Sequence, residues 1–302
     1  MTSISGFTYV RNGFRYGYPF LASIRSILPL VDELIVVVGD SSDGTREAIH
    51  KIQDSRIKIV DSIWNEELRK NGKVFAQQSN LGIDHLKGDW CLHTQADEAI
   101  HESDQKSVSR NIKLASENDL IDGLLFKFYH FWGDFKYIRD TRNVHRYEIR
   151  AFKNQRNIYS YRDSQGFRKY KSYETYKAGE KGEKLLVLNT GIPVYHYSYV
   201  RNPKLMKKQK NFFFRFYHND SWLSNNTNES AFDYNEVDKL TDFEGSHPLY
   251  VQEYIKNKDW DFLYDPEKSN MSVKDKILSK IEELTKYRLF EYKNYKIVSY
   301  PG

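Results

Sequence analysis

The sequence predicts an α/β fold, a mostly parallel sheet flanked by helices, followed by a helical C-terminal extension. Three observations carry this. Residues 34–38 form a continuous aliphatic run, which reads as a strand buried on both faces. The next segment, Asp40-Ser41-Ser42-Asp43-Gly44-Thr45, is a turn rich in helix-capping residues. Strand and helix signals also alternate through the first third of the chain. Taken in order, residues 5–12 read as the first strand. Phe20, Ile24, Ile27, Leu28 and Val31 then recur at helical spacing. After the 34–38 strand, a helix is expected from Thr45 to Ile52 and a short strand over 57–60. Residues 73–87 read as a helix ending at a C-cap, Gly88, and residues 89–94 as another strand. A β-α-β-α-β order of this kind gives parallel strands with crossover helices on both faces.

The pattern changes beyond residue 122. Residues 124–129 and 147–152 are strand-like, with little helix between them. Residues 178–184, rich in Gly, Lys and Glu, read as an exposed loop. Residues 201–215 carry six Lys or Arg and no acid, interleaved with Phe212, Phe213 and Phe214. Residues 220–244 reverse this balance, with seven acids and one lysine. Near the end, Val273, Ile277, Ile281 and Leu284 fall at helical spacing and predict an amphipathic helix.

Composition excludes several classes. Of 302 residues, 39% are hydrophobic, enough for a sizeable core and too many for wholesale disorder. No apolar run approaches the ~18 residues of a spanning helix. The opening residues lack the basic and apolar blocks of a signal peptide, and the lone cysteine, Cys91, allows neither an internal disulfide nor a Cys-based zinc site. Together these predict a cytoplasmic protein in a reducing compartment. The balance of 46 bases to 41 acids, net +5, is too mild to argue for nucleic acid, and no nucleic-acid partner is expected. The aromatic share, 15%, suits sugar stacking and a well-filled core equally.

In open α/β sheets, ligands bind beyond the carboxyl ends of the strands. Three such ends stand out: Thr8-Tyr9-Val10-Arg11-Asn12, Gly39-Asp40-Ser41 and Gln95-Ala96-Asp97-Glu98. A carboxylate at a strand end can hold a hard cation that bridges two phosphates, and it can equally cap the next helix. Neither G-x-x-x-x-G-K-[ST] nor G-x-G-x-x-G occurs, so a cation-dependent site fits better than a glycine-rich phosphate cradle.

These residues carry a resemblance. The first two hundred positions resemble a family 2 glycosyltransferase of the Rossmann-like GT-A fold. The opening strand resembles the family's nucleotide-binding start. Residues 34–38 with Asp40 to Thr45 resemble its valine run and D-G-S-x-D-G-T element. Asn80-Leu81-Gly82-Ile83 with Gly88-Asp89-Trp90 resembles its N-x-G helix and following strand. Gln95-Ala96-Asp97-Glu98 takes the place of its D-x-D motif. Two departures stand out. Gln95 replaces the motif's first acid, and Asp40 is displaced by about a residue from the family's uracil-contacting acid. Beyond Gly123 the resemblance thins.

The resemblance implies a metal-dependent, inverting transferase. It would move sugar from a nucleotide-sugar (a UDP-, GDP- or dTDP-sugar) to a hydroxyl of a glycan or lipid-linked acceptor. Residues 1–122 would form the nucleotide-sugar-binding half, 123–200 the acceptor-binding half and 201–302 a mainly helical extension. Asp97 would hold Mn2+ or Mg2+ together with His196, which reads equally as a hydrogen-bonded structural histidine. Thr8, Val10, Arg11, Asp40, Asn80, Gln95 and Ala96 would bind the donor. Asp163, in a polar turn, is the chosen catalytic base, with Glu148 and Asp140 as competitors. The basic run 201–215 would meet an anionic membrane or a diphosphate-linked acceptor, or else form a solvated helix face with a Phe edge on the core. The implied setting is bacterial or viral surface-glycan assembly on the cytoplasmic side, peripheral to the inner face of a membrane. Two rivals remain. One is a catalytically inactive GT-A-like binding module, supported by Gln95. The other is a nucleotidyltransferase, which calls for a glycine-rich phosphate loop absent from this sequence.

Overall fold

The computed structural model describes residues 2–68, 71–164, 166–228 and 230–298. The aliphatic run lies in β2 (Glu33–Val38), where every residue is buried. On one side β2 pairs in parallel with β1 (Ile4–Val10), and on the other with β3 (Ile57–Asp61). β1 in turn pairs in parallel with β4 (Trp90–His93). The intervening helices are α1 (Phe20–Ile27), α2 (Thr45–His50) and α3 (Lys73–Ile83). Alternate β2 side chains feed two cores, as expected of a parallel strand covered on both faces. Leu34, Val36 and Val38 pack with Phe20, Ile24 and Ile27 of α1. Ile35 and Val37 share a second cluster with Phe7 and with Ile83 of α3.

The end of α3 differs from the sequence expectation. The helix stops at Ile83 and not at residue 87, and Gly88 is not its cap. The Lys87 N–H donates to Glu33 Oε1 (2.8 Å) and the Gly88 N–H to Ser5 Oγ (2.7 Å). Those bonds draw the chain against the start of β1 before a further helical turn can form.

After β4 come β5 (Glu98–Ile100), α4 (Gln105–Ser116), β6 (Gly123–Trp132), β7 (Asp134–Ile138), β8 (Tyr147–Lys153), β9 (Ile158–Ser160), β10 (Phe167–Lys169), α5 (Tyr173–Lys177) and β11 (Glu183–Tyr199). The strand order across the sheet is β3-β2-β1-β4-β8-β6-β11-β10-β9. β8 runs antiparallel to both β4 and β6, whereas β11 runs parallel to β6. β11 is long and irregular in register, and it also pairs antiparallel with β5. That double pairing sets His196 opposite His130 on one side and Glu98 on the other.

The C-terminal extension holds α6 (Pro203–Phe214), α7 (Asp220–Asn226), β12 (Thr241–Asp242), α8 (Gln252–Lys256), α9 (Val273–Thr285) and β13 (Tyr295–Ile297). β12 pairs with β7, and β13 pairs in parallel with β11. The basic run becomes α6 with its flanks, but its charges do not share one face. Arg201 is 1% exposed and donates to the Tyr16 and Ser198 carbonyls, while Lys204 and Lys208 are exposed. The amphipathic tail is α9, whose Val273, Ile277 and Leu284 are exposed.

Candidate functional site

A pocket opens beyond the carboxyl ends of β1 and β4. Val10 and Arg11 reach it from β1, and Gln95, Ala96 and Asp97 from the segment after β4. Asp163, in the turn between β9 and β10, lines the same pocket. α6 contributes Gln209, Phe212 and Phe213, and Trp64, Phe75 and Tyr217 complete the aromatic wall.

Arg11 is held on several sides. It donates to Asp40 Oδ2 (2.8 Å) and Glu66 Oε1 (3.0 Å), and its guanidinium lies 5.6 Å and 5.2 Å from the Trp64 and Phe212 ring centroids. The Arg11 Nε and Trp64 Nε1 donors are buried with no partner among the described residues. Two hydrogen-bond donors on pocket-lining residues are thus unspent. Asp40 does not line the pocket; its side chain is 41% exposed and anchors Arg11 from outside. Thr8 is buried in the sheet and also stays out of the pocket. Asn80 lies elsewhere as well. Its Oδ1 accepts from the Ser160 N–H (2.7 Å) and its amide donates to the Tyr176 hydroxyl (2.7 Å), which ties α3 to β9 and α5.

Asp97 Oδ1 lies 3.7 Å from His196 Nε2, and Asp97 Oδ2 lies 3.5 Å from an Arg201 guanidinium nitrogen. Hydrogen-bond partners assign the histidine tautomers. His130 Nε2 is 2.7 Å from the His145 carbonyl, which can only accept, so Nε2 carries the proton. Burial, then the neighbouring His196, lowers His130 to about 3, so its ring is neutral at pH 7 and its Nδ1 is an acceptor. His196 Nδ1, 2.8 Å away, is therefore the donor. His196 is likewise neutral, lowered to about 4 chiefly by burial, which leaves a lone pair on the Nε2 that faces Asp97. Burial pushes the Asp97 carboxyl up to about 6, against the lowering charge of Arg201.

A carboxylate oxygen and an imidazole lone pair facing each other fit a divalent cation. Among the described residues, no group of three or more His, Cys, Asp or Glu side chains converges as a closed cage. Of the two, Asp97 lines the pocket and His196 lies behind it. Glu98 is not available as a further ligand. Arg150 grips both its oxygens at 2.6 Å and 2.7 Å, and both residues are buried. Burial would raise the Glu98 carboxyl, but the Arg150 charge and hydrogen bonds overcome this and hold it at about 2.

Asp163 Oδ2 accepts from the Tyr217 hydroxyl at 3.0 Å, while its Oδ1 is buried without a partner among the described residues. Burial raises its carboxyl above the usual range, although the Tyr217 bond pulls the other way. The turn that presents it has positive φ at Arg162, Ser164 and Gly166. Gly72 lets this corner close. Its φ is +61°, and a Cβ there would come within 2.6 Å of the Tyr217 hydroxyl and 2.7 Å of Asp163 Cβ. Glu148 does not line the pocket. It is half-buried in β8, one of its oxygens is buried with no partner among the described residues, and desolvation of the carboxyl pushes it up to about 7, with Arg150 opposing. Asp140 is outside, paired with Arg146 and Arg288.

A family model described as Glycosyl transferase family 2 matches residues 10–176, more than half of the chain. The chain belongs to that family. No curated protein matches it. Solved structures similar to this family 2 chain include Staphylococcus aureus TarS 1-349, at 13% identity and a TM-score of 0.40, covering 70% of this chain and 64% of that one. TarS 1-349 in complex with UDP gives 15% identity and a TM-score of 0.33, covering 47% and 40%. The mannosyltransferase PcManGT from Pyrobaculum calidifontis, in complex with GDP-Man and Mn2+, gives 16% and 0.32, covering 43% and 36%. In each case the match spans less than two thirds of the solved chain.

Sequence reasoning missed much of this family 2 site. Trp64, Phe75, Gln209 and Tyr217 carried no local signal. Phe212 and Phe213 were visible as aromatics in a basic run, but nothing local told a pocket wall from a core edge. The His130 contact to His196 is a register effect between β6 and β11.

Proposed function

We propose that this chain transfers a sugar from a nucleotide-sugar, with a UDP-, GDP- or dTDP-linked donor, to a hydroxyl of a glycan or lipid-linked acceptor. The reaction is metal-dependent and inverts the anomeric carbon. One observation carries the reading: Asp97, beside an imidazole lone pair, and Asp163, with a buried oxygen unpartnered among the described residues, line the same pocket. Asp97 and His196 would hold Mn2+ or Mg2+. That ion supplies neutralisation of the leaving diphosphate when bound. The unspent donors of Arg11 and Trp64 serve the nucleoside, while Val10, Gln95 and Ala96 shape its pocket; Asp40 acts by fixing Arg11. Asp163 takes the proton of the attacking acceptor hydroxyl, with Tyr217 holding its other oxygen in place. Glu148, its protonation balanced near neutrality, is the second candidate for that step.

In this reading residues 1–122 form the donor half and 123–200 the acceptor half, while residues 201–302 supply α6 as a wall. Among the described residues, no helix is long and apolar enough to cross a membrane. We place the work on the cytoplasmic side in surface-polysaccharide assembly, with exposed Lys204 and Lys208 available to an anionic membrane.

A screen of UDP-, GDP- and dTDP-sugars, with hydrolysis followed with and without Mn2+, tests the proposal. Metal-stimulated release of one nucleoside diphosphate is expected. Nucleotide binding without turnover of any donor overturns it in favour of an inactive binding module.

A further inference from the structure

A second, larger concavity begins where the first one ends. Asp163 and Tyr217 line the donor pocket, and with Asn71 and Arg162 they also line a cleft beside it. Asn71 and Arg162 in turn line an open groove of about 1080 Å³ between α3 and α5. Continuous lining thus leads from Asp163 into the groove. Its size lies at the top of the ~300–1,000 Å³ of small-molecule sites, which leaves room for more than a single ring.

The groove wall is aromatic. Tyr161, Tyr170, Tyr173 and Tyr176 line it; Tyr161 and Tyr170 are buried, Tyr176 is half-buried, and Tyr173 is 45% exposed. Tyr176 lies edge-on to Tyr170 at 5.2 Å and nearly parallel to Tyr173 at 6.1 Å, so the rings form one braced cluster. The Asn80 amide donates to the Tyr176 hydroxyl at 2.7 Å and fixes that cluster to α3. Charge is uneven. Lys73, Arg162, Lys177 and Lys181 stand against Asp84 and Glu180, and Lys177 Nζ lies 4.5 Å from the Tyr173 ring centroid. The exposed Tyr173 ring, braced by the rings behind it, presents apolar surface with a polar edge, and surplus cations favour negative charge.

We infer that this groove, whose α3 wall comes from the donor half and whose α5 wall comes from the acceptor half, binds the acceptor, and that the acceptor is an extended glycan carrying acidic groups. The inference rests on the reading of Asp163 as the base. A hydroxyl delivered to Asp163 needs a path for the rest of its chain, and the groove supplies one.

The test uses the full chain on a printed array of neutral and acidic oligosaccharides, beside calorimetric binding of UDP, GDP and dTDP. Wild type should be retained on acidic members, with retention falling as salt rises. Tyr173→Ala should lose at least about tenfold of that retention, whereas Tyr173→Phe, which keeps the ring, should preserve it. Nucleotide binding by Tyr173→Ala should stay within about twofold of wild type, which also reports that the variant is folded. Absence of retention on every member, or equal retention by Tyr173→Ala, overturns the groove. Retention on neutral members alone overturns the acidic assignment. Saccharide retention without any nucleotide binding would sink the transferase reading and leave the groove standing.

Discussion

Asp97 Oδ1 and His196 Nε2 face each other across 3.7 Å, and the tautomers give the imidazole nitrogen no proton to donate. Arg201, 3.5 Å from Asp97 Oδ2, supports the ionised carboxylate on one side, and the side facing the imidazole lone pair is where a cation would gain most. Asp97→Asn should therefore abolish Mn2+ binding in a spectroscopic titration and lower transfer by ~100-fold or more, the scale of a lost charge-stabilising group. Near-normal turnover at saturating donor would remove Asp97 from the metal site.

His130 acts one step further out. Its Nδ1 is the acceptor that fixes the His196 proton away from Asp97. Outer partners of this kind typically change metal affinity by ~10–100-fold. His130→Phe should weaken Mn2+ binding on that scale, read by electron paramagnetic resonance, while His130→Gln should recover part of the loss. Equal Mn2+ affinity in all three proteins would show that the contact is only packing.

The two candidate bases are separable. Asp163→Asn should cut transfer by ~100-fold or more, the usual weight of general base catalysis, with donor binding retained. Glu148→Gln should leave transfer within a few-fold, because Glu148 does not line the pocket. The opposite pattern would hand the base to Glu148.

Glu148 also carries a pH signature. Burial raises its carboxyl from 4.5 to about 7. The folded chain thus keeps a proton that the unfolded chain has lost between those values, so stability falls as pH rises through that window. At 1.36 kcal/mol per unit, the full cost above pH 7 is about 3 kcal/mol. Glu148→Gln removes it. Its denaturation midpoint relative to wild type should be near parity below about pH 4.5 and clearly higher near pH 8. A pH-independent difference would mean that the carboxyl titrates normally.

Much of the fold could be read locally. The aliphatic run 34–38, the helical spacing from Phe20 to Ile27 and the turn at Asp43, whose carboxylate accepts from the Thr45 N–H, follow from local periodicity and turn chemistry, although the helix ends before Leu28 and Val31 is extended. The strand-end rule also pointed to Val10, Arg11, Gln95, Ala96 and Asp97, because the chain direction of a parallel strand fixes which end opens to ligand. The same reasoning reached too far at the end of α3, where bonds to Ser5 and Glu33 stop the helix early.

What each polar residue is free to do was decided only by tertiary structure. Asn80 and Glu98 both sat in motif-like positions, yet Ser160 and Tyr176 take up the first and Arg150 the second. Asp163 and Asp140 read alike as carboxylates in polar stretches, but one keeps an oxygen unpartnered among the described residues while the other is spent on two arginines. His196 meets Asp97 only because β11 pairs with β5 and β6 at once. A side chain's chemistry is set by the partners and dielectric around it, and here those partners come from distant strands whose register no local pattern encodes.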